Sequence, residues 1–150
     1  REIVHFMCQN AITRTLQERH ATTQEQKEAI YNLIFHAKTD DFISQNTTTL
    51  THAIKSLKIL DPSLGSGAFP MGLLNEILRI LHLLNPTMQA QDIAALKREI
   101  IQKQIYGIDI DADAIEIAKL RFWLSIAVDE DTPAPLPNLD FKFMQGNSLI

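Results

Sequence analysis

Residues 57–84 constrain the fold more than any other stretch. A short apolar run, Leu57-Lys58-Ile59-Leu60, ends at Asp61, passes through the turn DPSLGSGAF and enters a long amphipathic segment. The run reads as a strand. The segment from Ala68 to about Leu84 reads as a helix, because Phe69, Leu73, Ile77, Ile80, Leu81 and Leu84 fall along one stripe. Asn85-Pro86 ends it, since the residue before proline is pushed out of the helical region. A second helix is expected over 92–104, with Ile93, Leu96, Ile100 and Ile101 on one side, followed by a strand at 105–110 (IYGIDI). Asp113 can cap a helix running to about Val128. The stretch 133–137 (PAPLP) reads as a stiff loop, and 139–144 alternates as a third strand. The order strand, helix, helix, strand, helix, strand calls for parallel pairing through right-handed crossovers. The expected class is therefore α/β, the first half of a doubly wound sheet. Such sheets bind ligands at the carboxyl ends of their strands.

Residues upstream of this region read differently. All five glycines lie after residue 64. Residues 1–60 carry seven basic and six acidic side chains, a net of +1, against seven and twelve, a net of −5, for 61–150. Residues 13–38 predict a helical pair broken near 20–23, with Thr22 or Thr23 capping the second helix and Gln26 completing a capping box. Asp40-Asp41 reads as a turn or the next cap, and 42–57 keeps helical spacing only in its second half. The expected division is a helical region at 1–55 and an α/β region at 56–150. The overall charge of −4 argues against gripping nucleic acid by bulk positive charge, though it leaves room for a local basic patch. One cysteine, Cys8, excludes an internal disulfide framework and fits a reducing, cytoplasmic setting. The five histidines never fall at HxxxH spacing, so no metal site is expected. No apolar run approaches the ~20 residues of a membrane span. A start at Arg1 without a secretory pattern suggests a piece of a longer protein.

Three places could carry chemistry. Gly65 and Gly67 allow positive φ and close backbone approach just before a helix N-terminus. A Walker phosphate loop is excluded, because no GK[ST] follows. The dinucleotide fingerprint lacks its third glycine, with Pro70 in that place. Asp109, at the end of the second strand, can accept two hydrogen bonds from a ribose diol, and Ile110 offers an apolar face to a purine. A calcium loop starting at Asp109 fails, since Ala114 and Leu120 stand where Gly and Glu are needed. Gly146-Asn147-Ser148 follows the third strand and could meet a base edge. A glycine turn, an acid with an apolar neighbour and an amide at three successive strand ends fit a nucleoside-bearing cofactor without a phosphate bridge. An NAD-binding oxidoreductase half-domain is the alternative enzyme reading. A non-enzymatic interaction module built on the first ~55 residues is a third.

These motifs resemble those of a known family. ILDPSLGSGAF is similar to motif I of the adenine-specific DNA methyltransferases. IYGIDIDADAIEIAKLRFWLSI resembles the second motif, in the form found in large restriction–modification methylases of the Eco57I (type IIG) kind, and FMQGNSL resembles the third. The resemblance covers about residues 55–150 and implies a Rossmann-like class I methyltransferase fold with S-adenosylmethionine as cofactor. By that resemblance Asp61, Ser63, Gly65 and Gly67 surround the methionine part, with Pro62 and Phe69 completing the turn's contribution. Asp109 holds the ribose hydroxyls, Ile110 packs on adenine, and Asn147 with Ser148 meets the adenine edge. Transfer to N6 of adenine in double-stranded DNA is implied; RNA or protein substrates are the alternative. The family's catalytic motif, Asn/Asp-Pro-Pro-aromatic, has no counterpart here, because there is no Pro-Pro and Asn85-Pro86 is followed by Thr87. In the family it follows the third motif. The expectation is a cofactor-binding half with no catalytic residues of its own, inactive alone, meeting DNA through segments elsewhere. Motif X is not evident either, for 47–51 lacks its proline.

Overall fold

A computed structural model describes residues 2–129 and 135–149. In chain order the elements are α1 (Glu2–His20), α2 (Gln24–His36), α3 (Asp41–Gln45), α4 (Thr47–Lys55), β1 (Ile59–Asp61), α5 (Ala68–Leu84), α6 (Ala90–Lys103), β2 (Ile105–Asp109), α7 (Ala112–Ala127) and β3 (Phe143–Gln145). They form two compact units, one of Arg1–Leu57 with Asn75–Thr87 and one of Lys58–Leu74 with Met88–Ile150.

The first unit is helical. Thr23 caps α2: its hydroxyl accepts from Gln26 N at 3.2 Å, and the Gln26 side chain accepts from Thr23 N at 3.2 Å, the reciprocal box the sequence predicts. Asp40 caps α3 by accepting from Ile43 N at 2.9 Å. Helix α1 begins at Glu2, well before the periodicity at residue 13. Cys8, Gln9 and Ile12 are buried while Ile3, Phe6 and Met7 are exposed. Leu16, Ile30, Leu33, Ile34, Leu50 and Ile54 form the core of the unit. Within its α5 segment, Glu76 is 2% exposed and pairs with Arg79 and with His5 at 3.3 Å, while Arg79 also donates to the Ile34 carbonyl. Burial pushes the Cys8 thiol pKa up to about 11, with the nearby Glu76 carboxylate adding to the effect.

The second unit holds a three-stranded parallel sheet in the order β1-β2-β3. Asp61 pairs with Gly107 and Asp109 with Gln145, so the three carboxyl ends lie side by side. Phe122 of α7 packs on Phe143 of β3 with ring centroids 5.0 Å apart. Helix α7 buries Ile115, Ala118, Phe122 and Ile126 but leaves Ile117, Leu120 and Leu124 exposed, so its nearly all-round apolar surface is only partly core. Lys119, almost fully buried, donates to Glu116 and Asp140 at 2.8 Å each, and these carboxylates raise its pKa.

Three local expectations need correction. Strand β1 starts at Ile59, two residues after the apolar run begins. The helix after β2 is capped by Asp111, whose carboxylate accepts from Asp113 N at 2.9 Å; Asp113 is not the cap. The third strand is Phe143–Gln145, and 139–142 is a turn. Asn138 accepts from Asp140 N at 2.8 Å, and Leu139 O accepts from both Lys142 N and Phe143 N at 2.9 Å, which spends those groups within the turn. Of the proline loop, Pro133 and Ala134 lie outside the described residues. Beyond them, the Pro137 carbonyl accepts from Trp123 Nε1 at 3.0 Å.

Candidate functional site

The glycine turn is built by its own hydrogen bonds. Asp61, buried at the end of β1, accepts from Ser63 N at 3.0 Å. Leu64 N donates to Ile108 O at 3.0 Å, and Gly67 N returns to Leu64 O at 2.9 Å. Leu64 thereby lies over β2, where a Cβ on Gly107 would stand 2.6 Å from Leu64 Cδ1. Gly65 takes φ 51° and Gly67 φ 78°. Nothing lies within 4 Å of a Cβ built on Gly65, whereas one on Gly67 would meet Ala118 Cβ at 3.2 Å. Gly65 thus supplies conformation alone; Gly67 also supplies the close approach of α7.

Asp109 joins this turn to the neighbouring strand. One carboxylate oxygen accepts from Gly65 N at 2.6 Å, the other from Asp111 N at 3.0 Å. The N–H groups of Asp111 and then Gly65 hold its carboxyl below the usual aspartate range. An ionised carboxylate has about four lone-pair sites, so these two bonds leave acceptor capacity on both oxygens. Ile110 is 73% exposed, and its carbonyl accepts from Gln145 Nε2 at 3.1 Å. Gly146 N donates to Asp109 O at 2.9 Å, which brings the end of β3 beside the end of β2. Asn147 Oδ1 accepts from Leu149 N at 2.9 Å, leaving the amide Nδ2 as the group with hydrogens to donate.

A cleft of about 470 Å³ opens across these strand ends, lined by Pro62, Ser63, Asp109, Ile110, Gly146, Asn147, Ser148 and Leu149. Six of the ten residues assigned from sequence therefore meet in one place. Asp61, Gly65, Gly67 and Phe69 do not line it: the first three hold the turn, and Phe69 sits half-buried in the first turn of α5. Gly146, which opens the Gly146-Asn147-Ser148 turn, and Leu149 line it as well, and both belong to the FMQGNSL stretch. Gly107 belongs to the strand IYGIDI, and nothing local to that strand marks it as the floor beneath Leu64.

The three parallel strand ends of this α/β unit gather a carboxylate, an exposed aliphatic face and an amide around a glycine turn, at the edge where such sheets take ligands. The sequence model of the family described as "MmeI, DNA-methyltransferase domain" matches residues 37–132, and the chain belongs to that family. Two curated relatives are similar to it. A putative type II restriction enzyme and methyltransferase of Methanocaldococcus jannaschii, RM.MjaORFECS2P, is 33% identical over 172 aligned residues, 99% of this chain and 14% of that protein. The type II restriction enzyme and methyltransferase RM.Eco57I of Escherichia coli is 33% identical over 115 residues, 65% of this chain and 11% of that one. The chain thus spans only a small part of either relative. No solved structure matches it.

Proposed function

We propose that this chain is the cofactor-binding part of a site-specific DNA adenine-N6 methyltransferase that takes its methyl group from S-adenosylmethionine within a restriction–modification system. The observation that carries this reading is the meeting of Ser63, Asp109, Ile110, Asn147 and Ser148 in one cleft at three parallel strand ends. The residues suit the cofactor's nucleoside: spare acceptor sites on Asp109 for a diol, the exposed Ile110 face for a purine, and the Asn147 amide for a base edge. The fold reading is a partial Rossmann-like class I domain over 56–150, preceded by the helical region 1–55, in a cytoplasmic protein. Membership in a DNA-methyltransferase family and likeness to two restriction–modification proteins support the substrate class. When bound, S-adenosylmethionine supplies an electrophilic methyl group on sulfur. This chain's part is to bind and orient it; groups that hold the target adenine belong to other segments, as does most of the contact with double-stranded DNA.

Calorimetric titration of the chain with S-adenosylhomocysteine and, separately, with NAD tests this. Binding of the first and not the second is expected, and binding of NAD alone would sink the reading. Asp109→Asn should weaken S-adenosylhomocysteine between ~10- and ~100-fold, the range for losing charge-assisted hydrogen bonds. The carboxyl is held below the usual aspartate range, so the wild-type site is charged throughout neutral and mildly acid pH. An affinity unchanged in the variant would remove Asp109 from the ribose position.

A further inference from the structure

The helical unit carries a second cleft, of about 560 Å³, lined by α1, α4 and the residue capping α4. Arg19 and His20 line it from the last turn of α1; Thr48, Thr49, His52, Ala53 and Ser56 line it from α4 and its end. Residues 48, 52 and 56 recur every four positions, so they stack along one side of the helix. Leu50, Ala53 and Ile54 fall on the buried side, and Ala53 forms the floor.

The lining has one electrostatic sense. It contains a guanidinium, two imidazoles and three hydroxyls, with no carboxylate. Residues 42–60 contain no Asp or Glu. Among the described residues, nothing pairs with Arg19, His20, His52 or the hydroxyls of Thr48 and Thr49, whereas Ser56 Oγ donates to Ala53 O at 2.8 Å. An unpaired guanidinium beside several free donors suits the non-bridging oxygens of a phosphate, which arginine grips as a planar fork and hydroxyls reinforce. The cleft's lining has no Phe, Tyr or Trp on which a base would stack. It fits a stretch of backbone better than a single nucleotide.

We infer that this chain itself holds the phosphodiester backbone of DNA, through Arg19, His52 and the Thr48–Thr49 hydroxyls, without reading base sequence. The choice of DNA rests on the methyltransferase reading above; the phosphate chemistry does not. A net charge of −4 gives no bulk attraction, so the grip has to be local, and this cleft sets a guanidinium beside imidazole and hydroxyl groups.

The test follows the Arg19 side-chain and the His20 and His52 imidazole signals by NMR. The full 150-residue chain is titrated in turn with a short DNA duplex, inorganic phosphate and S-adenosylhomocysteine. The duplex should move all three signals, and inorganic phosphate should move them only at much higher concentration. Arg19→Gln should weaken duplex binding about tenfold and lower the salt slope by about 1. Lys38→Gln, the same charge change on an exposed residue outside the cleft, should do neither. Arg19 is exposed, so folding is not at stake in its variant. The inference fails if the duplex leaves the signals still, if phosphate moves them and the duplex does not, if the two variants behave alike, or if S-adenosylhomocysteine moves them. Loss of S-adenosylhomocysteine binding alone, with Arg19-dependent duplex binding intact, would overturn the cofactor reading and support this one.

Discussion

Gly65 and Gly67 stand two residues apart in one turn, both at positive φ, yet they answer different demands. An alanine at either position bears the strain of a left-handed backbone, about 1–2 kcal/mol. At Gly65 that is the whole cost, since its Cβ would meet nothing within 4 Å. At Gly67 the methyl group would also press on Ala118 Cβ at 3.2 Å and Phe122 Cε2 at 3.4 Å, inside a packed helix–turn contact. Overpacking of that kind adds roughly 1–3 kcal/mol. Urea denaturation of Gly65→Ala and Gly67→Ala should therefore separate them, with Gly67→Ala the less stable; equal losses would mean that α7 yields without cost. The motif in the sequence marked both glycines for a ligand. It could not divide them, because the residue that Gly67 accommodates lies fifty-one positions away, at Ala118.

At the scale of elements, patterns complete within one turn of chain were legible and patterns that depend on competition were not. TTQEQ contains a whole capping box, and the structure forms it at Thr23 and Gln26. The run DIDAD offers three aspartates at alternate positions, and from sequence Asp113 is the expected cap. Asp109 is already engaged by Gly65 and Asp111, and the chain turns into the helix at Asp111, which accepts from Asp113 N and Ala114 N. Asp111→Ala should then cost about 0.5–2 kcal/mol, the usual loss of an N-cap. Asp113→Ala, on an exposed side chain, should stay within about 0.5 kcal/mol of the parent protein. Thermal unfolding of the two variants decides between them, and the reverse ranking would restore Asp113 as the cap. The third strand misled for a similar reason. Leu139, Phe141 and Phe143 alternate as strand residues do, but the Asn138 side chain takes Asp140 N and closes a turn, leaving Phe141 80% exposed. Ladder pairing begins only at Phe143, where β2 supplies partners.

For the whole molecule, the boundary drawn from composition at residue 55 and the grouping by packing do not coincide. Asn75–Thr87, the second half of α5 and the residues after it, group with the first 57 residues. Nothing in the sequence of α5 signals this, because its apolar stripe runs on unbroken from Leu73 to Leu84. The stretch buries Ile77, Ile80, Leu81 and Leu84, and its Glu76 and Arg79 take their partners from His5 and the Ile34 carbonyl. Each of those four side chains contributes ~1.5–3 kcal/mol when buried. Together they compare with the ~5–15 kcal/mol that keeps a whole domain folded. A fragment of residues 56–150, cut where the sequence reading places its boundary, would present that apolar stripe and a carboxylate stripped of its His5 contact to water. It should bind the dye ANS more strongly than the full chain does and self-associate on gel filtration. A monomeric fragment with no dye binding and an unchanged melting temperature would show instead that α5 keeps its apolar face covered without residues 1–55, and that the helical lead-in contributes nothing to the stability of the helix that follows the glycine turn.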